Sequence, residues 1–310
     1  MQAIETVSYW VGRAVTAQYG KTGLHNRIID RVGKRVGTAL YFANRLAHPT
    51  EPYGKWMKVE VPEDMPGRDI IPDYYRIPFH GQANGYLSEI SAKTYDLGVS
   101  FVFRGKDEEM RAQLVRRLRP RLRRAPKRIL DIGSGTGVST FHLARAWPEA
   151  EVLGVELSPY YVRHARERAE KLGLRNVSFL HAKGEETGQP DAHFDLVAST
   201  FVFHEVPVPF TRKIMEEAFR VLKPGGTVGI CDAAQIMENR YADIFPAMLY
   251  EPYFKKYARM DWEKVLEGAG FERVAQEATY TLPLPASKTV IAEKPETAAR
   301  RRKAPKAGAA

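Results

Sequence analysis

The stretch RILDIGSGTG, Arg128 to Gly137, decides the fold. Ile129, Leu130 and Ile132 make a short apolar run with Asp131 inside it. Three glycines follow at alternate positions, and then VSTFHLARAW places Val138, Phe141, Leu143 and Ala144 at helical spacing. That order is strand, tight loop, helix. Glycine lets the chain turn sharply and approach a ligand with no Cβ in the way. The loop's free N–H groups and the helix dipole then favour an anionic or polar group at that end.

A glycine-rich turn alone also suits an ordinary strand-to-helix connection or a dinucleotide site. Here the glycines run G-x-G-x-G, and Val138 stands where a dinucleotide fingerprint has its third glycine. Asp131 at the end of a buried strand costs free energy unless N–H groups or a cationic ligand satisfy it. The next strand, EVLGVEL, ends in Glu156, about 20 residues past the loop, where an acid can accept from both ribose hydroxyls.

Four motifs follow one another: DIGSGTG from Asp131, VLGVELS from Val152, FDLVAST from Phe194 and VLKPGG from Val221. In that order they resemble the class I S-adenosylmethionine-dependent methyltransferases. Within these, the chain is similar to the small-molecule group that includes the ubiquinone and menaquinone methyltransferases. The resemblance spans Ala125 to Lys294.

It implies S-adenosyl-L-methionine as cofactor and an assignment for each part of its site. Gly133, Ser134, Gly135, Thr136 and Gly137 would form the cradle, with Asp131 near the methionine ammonium. Glu156 would hold the ribose and Leu157 would pack on the adenine. Thr200 and Phe201, after the fourth strand, count with the cofactor contacts. Lys183, Gly184 and Glu185 fall at the adenine end. Relatives usually carry Asp or Asn where this chain has Lys183, and an ammonium accepts no hydrogen bond. Glu185, or the backbone of Ala182 and Gly184, is the substitute.

The stretch STFVFHEVPV after the fourth strand lacks the N-P-P-Y pattern of amide and exocyclic-amine methyltransferases. It offers His204 and Glu205 instead, at the carboxyl end of a strand, where open α/β sheets bind ligands. A histidine suits removal of a hydroxyl or carbon-acid proton. The plain alternative is that His204 only orients its loop. His80, Tyr86 and Tyr95, from the segment ahead of the glycine loop, are pocket candidates by resemblance, with His80 the second catalytic candidate. Asp232 is a weaker one. No metal site is expected, since the single Cys231 excludes a multi-cysteine site and any internal disulfide.

The chain has 310 residues, 44% of them hydrophobic, enough for a substantial core. No run approaches the roughly 18 apolar residues of a membrane span. The opening MQAIETVSYWVGRAVTA, with Glu5 and Arg13, reads poorly as a secretory signal, so a reducing cytoplasm is the expected location. The net charge of +10 is local: residues 111–128 hold nine Lys/Arg and residues 300–310 five, with no acid in either. The remaining chain is therefore net acidic, which argues against nucleic acid as a partner. From Asn26, apolar Ile28, Val32, Val36 and Leu40 share a helix face with basic residues elsewhere. That helix caps the main domain, or else touches a membrane surface. The oligomeric state stays open.

The reading is an α/β fold: a doubly wound, mostly parallel, seven-stranded Rossmann-like sheet with helices on both faces. Strands are expected at 127–132, 151–156, 177–181, 194–199, 226–232, 271–279 and 287–293. The last two form an edge hairpin. Helices are expected at 137–147, 158–172, 209–222 and 260–269, with more between 233 and 257. Another follows Asp107, which can cap it. Residues 1–106 form a mainly helical, then proline-rich extension over the active site. Residues 107–295 form the methyltransferase domain, and residues 296–310 a disordered basic tail. The expected function is methyl transfer to oxygen or carbon of a small apolar or aromatic molecule. The rivals are an RNA methyltransferase and a catalytically silent cofactor-binding partner subunit.

Overall fold

A computed structural model describes residues 58–82, 84–102, 106–235, 251–279 and 287–296. The helices expected over 1–50, the 280–286 link and the tail from 297 lie outside the described residues, as does most of the expected 233–257 helix.

In chain order the regular elements are α1 Glu89–Val102, α2 Asp107–Leu118, β1 Arg128–Ile132, α3 Val138–Ala146, β2 Glu151–Glu156, α4 Pro159–Lys171, β3 Val177–His181 and β4 Phe194–Thr200. They continue with α5 Val208–Val221, β5 Leu222–Ala233, α6 Phe254–Ala258, α7 Trp262–Ala269, β6 Glu272–Thr279 and β7 Ser287–Glu293. The sheet order is β3-β2-β1-β4-β5-β7-β6, and β7 runs antiparallel to both its neighbours. The expected edge hairpin is there, with β7 inserted between β5 and β6.

A parallel sheet buried on both faces needs near-continuous apolar strands, and β1 and β4 supply them. Ile129, Leu196, Ala198 and Cys231 pack with Leu114 and Leu118 of α2 and Leu143 of α3. Leu130, Ile132, Val197, Val228 and Ile230 pack with Ile214, Met215 and Ala218 of α5 and with Trp262 and Leu266 of α7. Each fully buried Leu or Ile stabilises the fold by roughly 1.5–3 kcal/mol. Phe141 and Phe179 close a third cluster on Val162, Ala165 and Ala169 of α4.

Two expectations need correction. Asp107 is the first residue inside α2, not its cap; Lys106 holds the N-cap position without a side-chain bond. Asp107 is buried one turn ahead of Arg111, and burial pushes its carboxyl up. There its charge complements the helix dipole. β5 begins at Leu222 rather than 226, because Leu222 pairs with Phe194 before the register shifts toward Thr227–Leu196.

Much of the basic run is paired within the fold. Arg117 donates to the Glu277 carbonyl and the Thr279 hydroxyl, and Arg119 to the Ala146 carbonyl. Arg123 pairs with Glu293 and Glu296, Arg124 with Asp195, and Arg128 with Glu151. These pairs tie α2 and the entry to β1 to the rest of the domain, while the side chains of Arg123, Arg124 and Arg128 stay exposed.

The proline-rich segment 58–82 forms three short 3-10 turns, Arg68–Ile70, Asp73–Tyr75 and Phe79–Gly81. Its ends are clipped together: Val59 N–H donates to Arg76 O at 3.0 Å, and Arg76 Nε returns a bond to Val59 O. It lies over the carboxyl ends of the strands. Strand order reverses there between β1 and β4, which opens the crevice of a doubly wound sheet.

Candidate active site

The glycine loop folds back on β2: the N–H groups of Gly133 and Ser134 both donate to Val155 O, at 2.8 and 3.0 Å. Gly133 has φ +71°, and a Cβ there would meet Val202 Cγ2 at 2.4 Å. Gly135 has φ +53°, yet no atom of the described residues lies within 4 Å of where its Cβ would sit. One glycine is needed for packing; the other faces open space. Gly137, in the left-handed region, is the N-cap of α3. Thr136 Oγ1 donates to Asp96 of α1 at 2.6 Å, and Arg168 joins them by bonding Asp96 and the Thr136 carbonyl.

Asp131 is 1% exposed. Thr140 Oγ1 donates to its Oδ2 at 2.6 Å, while Oδ1 finds no partner among the described residues. Burial pushes its pKa up to about 7 against the pull of Thr140. Arg111 of α2, a residue the sequence reading missed, is buried beside it. Its guanidinium donates to Ser139 Oγ at 3.0 Å and lies over the Phe201 ring, while Nε has no partner among the described residues. Ser134 Oγ is likewise buried and unpaired there. An orphan carboxylate oxygen and an orphan guanidinium N–H beside a glycine loop suit a zwitterion with ammonium and carboxylate ends. In sequence, Arg111 was one arginine in a run of nine Lys/Arg; only its helical phase, one turn after Asp107, set it apart.

At the other end of the loop, Glu156 accepts from Tyr75 OH at 2.8 Å and Ser158 N–H at 2.9 Å on Oε1, and from Gly135 N–H at 3.1 Å on Oε2. Burial raises its pKa against those donors. Leu157 packs with Val59, Met65, Ile71 and Leu87. Lys183 turns away to Glu186, 2.5 Å from its Oε2. Glu185 accepts from Tyr74 OH at 3.2 Å. Gly184 packs close to Ile132, where a Cβ would meet Cγ2 at 2.8 Å.

The expected acid–base residues come together. Thr200 pairs with Cys231 at the end of β4. Phe201 follows with φ +57°, its N–H donating to Cys231 O, and its ring lies 6.5 Å from that of His204. His204 and Glu205 sit in a 3-10 turn, Phe203–Glu205. His204 Nδ1 is 2.6 Å from Asp232 Oδ1, and its Nε2 is 3.6 Å from Glu205 Oε1. His80 Nε2 lies 2.6 Å from the same Oε1, and Tyr86 OH donates to it at 2.7 Å. Glu251 stands 3.8 Å from His80 Nδ1. Rings of Phe79, Tyr86, Tyr95 and Tyr161 wall the cluster.

Burial works against charge on His204, but Asp232, with Glu251 and Glu205, outweighs it and lifts the imidazole to about 10. His80 is raised in the same way by Glu205 and Glu251 against burial. Burial opposes ionisation of Glu205, and the two histidines outweigh it, holding the carboxyl below its usual range. His80 also carries φ +55°, a left-handed backbone that costs a non-glycine residue about 1–2 kcal/mol. Such strain clusters at functional sites. Among the described residues, no group of three or more His, Cys, Asp or Glu could hold a metal ion.

With the glycine loop, its acids and the switch-point crevice in place, the chain matches the methyltransferase-domain family over residues 129–226. The demethylmenaquinone methyltransferase of Thermus thermophilus is 31% identical over 199 residues, covering 64% of this chain and 85% of its own. The chain belongs to the class I S-adenosylmethionine-dependent methyltransferases. The demethylmenaquinone methyltransferase of Listeria monocytogenes is 30% identical over 166 residues, 49% of this methyltransferase and 69% of its own length. Among solved structures, the CurJ carbon methyltransferase superposes with a TM-score of 0.53 at 15% identity, over 70% of this chain and 65% of that one. That likeness is one of fold. This methyltransferase uses S-adenosylmethionine. Among its described residues, no helix is long and apolar enough to cross a membrane.

Proposed function

We propose that this methyltransferase alkylates a small aromatic, quinol-type acceptor at oxygen or carbon. The observation that carries the reading is the His204–Asp232–Glu205–His80 cluster, walled by aromatic rings at the carboxyl ends of β4 and β5. The two demethylmenaquinone methyltransferases among its relatives support the acceptor class. In this reading residues 1–106 are the cover, residues 107–295 the methyltransferase domain and residues 296–310 a tail. An apolar acceptor partitions into lipid, so the reading places the enzyme in the cytoplasm with peripheral membrane contact.

S-adenosylmethionine supplies an electrophilic methyl group when bound; the protein supplies alignment and a place for charge and proton. Asp131 and Arg111 would hold the amino-acid end, Gly133 to Gly137 would cradle it, and Glu156 would take the ribose. Glu185 accepts a hydrogen bond where Lys183 cannot, so it is assigned the adenine amino group.

On the acceptor side, Asp232 orients His204 and keeps it protonated at neutral pH. A charged imidazole starts as a donor, not as a base. His204 therefore stabilises the anion of an acidic hydroxyl, as a preorganised charge does. Glu205, ionised at neutral pH, takes the hydroxyl proton and gives it up to water after turnover, while the His80 imidazole, 2.6 Å from its Oε1, holds the carboxylate in place. This changes the role given to His204 in the sequence, from base to donor, while keeping the same three residues.

The test is an assay with labelled methyl donor across demethylmenaquinol, simple naphthoquinols and phenols, and an unrelated amine. Methylation of quinols or phenols is expected. Transfer confined to the amine would overturn the reading.

A further inference from the structure

Three groups that face the adenosine half of the site are each already engaged by one segment of this chain, residues 58–82. Tyr75 donates to Glu156 at 2.8 Å, and Tyr74, in the same 3-10 turn, donates to Glu185 at 3.2 Å. Val59, Met65 and Ile71 pack on Leu157. A carboxylate offers about four acceptor positions, two on each oxygen. On Glu156, Oε1 has both filled, by Tyr75 and the Ser158 N–H, and Oε2 has one filled by the Gly135 N–H. At most one position remains, and a ribose diol needs two.

We propose that Tyr75 competes with the ribose hydroxyls of the cofactor for Glu156, so that cofactor uptake displaces the segment 58–82 from the crevice. The inference rests on the reading of this crevice as the cofactor site. Apart from Tyr75, the donors on Glu156 are backbone N–H groups, fixed by the turn after β2 and by the glycine loop. Tyr75 alone sits on a side chain of a three-residue turn, and its hydroxyl is the chemical counterpart of a ribose hydroxyl: a neutral O–H donor. The clip between Val59 and Arg76 makes the segment move as a unit, so losing Tyr75 from Glu156 also draws Tyr74 from Glu185 and uncovers Leu157. By linkage, whatever lifts the segment strengthens cofactor binding by the same factor.

The experiment measures S-adenosylhomocysteine affinity by calorimetry in the full chain and in Tyr75→Phe. The substitution keeps the ring and removes only the competing donor, so the variant should bind about ten-fold tighter, the size of one hydrogen bond to a charged group. Unchanged or weaker binding by Tyr75→Phe overturns the inference alone. A second readout is amide exchange over residues 59–77, which should quicken when the ligand binds the unaltered chain; added protection there also overturns it. If neither protein binds the ligand although both stay folded by circular dichroism, the cofactor assignment of the crevice falls together with the inference.

Discussion

The imidazole of His204 and the carboxylate of Asp232 meet at 2.6 Å, Nδ1 to Oδ1, at the ends of adjacent strands. Asp232 also accepts the N–H groups of Phe203 and Ala233, at 2.7 and 2.6 Å, so it is held rigidly. Asp232→Asn keeps an acceptor for Nδ1–H and removes the negative charge. The His204 pKa should then drop from about 10 into the neutral range, which NMR titration of its ring protons reads directly. Turnover should fall on the order of 10²-fold, with its pH optimum moved to lower pH. The folded pKa of His204 lies above its unfolded value. The pair's stabilisation is therefore complete below about pH 6.5 and lost as pH rises through about 10. That alkaline slope in the melting temperature should flatten in the variant.

Cofactor affinity should depend on pH through Asp131. Its carboxyl, lifted to about 7 by burial, must ionise to meet an ammonium. S-adenosylhomocysteine should bind more tightly as pH rises through about 7 and release a proton on binding below it. Calorimetry in two buffers of different ionisation enthalpy measures that proton. No buffer dependence at pH 6 would show that Asp131 is not the ammonium partner.

Arg111→Met should separate the two halves of the ligand. Loss of a charge-assisted hydrogen bond should weaken S-adenosylhomocysteine about 10–100-fold. 5′-Methylthioadenosine, which lacks the amino-acid end, should bind with unchanged affinity. Equal losses for both would point to a disturbed fold instead.

The two loop glycines should respond differently to alanine. Gly133→Ala combines a left-handed φ with a Cβ 2.4 Å from Val202, and should destabilise the fold by about 2–4 kcal/mol in urea unfolding. Gly135→Ala meets only the backbone strain, about 1–2 kcal/mol, because no described atom is near its Cβ. Its larger effect should be on S-adenosylhomocysteine binding. The reverse ranking would place the ligand elsewhere along the loop.

The strands and the glycine loop were legible because their signals are local. Ile129 to Ile132 could only be a buried strand, and Gly133, Gly135 and Gly137 with Val138 fixed the turn that follows. Spacing along the chain likewise picked out Asp131 and Glu156, since β1 and β2 are neighbours and both end at the crevice. His204 was legible as a residue but not as an acid. Its charge state comes from Asp232, 28 residues later, which only the parallel pairing of β4 with β5 brings alongside. Arg111 could not be told from its basic neighbours, because what distinguishes it is burial against Ser139 and Phe201 while most of the others are exposed. Tyr75 gave no signal at all, for its hydrogen bond to Glu156 crosses 81 residues. The sequence by itself determined the sheet, the loop and the acids that line it, through patterns a few residues long. Tertiary structure decided protonation and competition, because both depend on which groups share a low-dielectric space after the strands have paired.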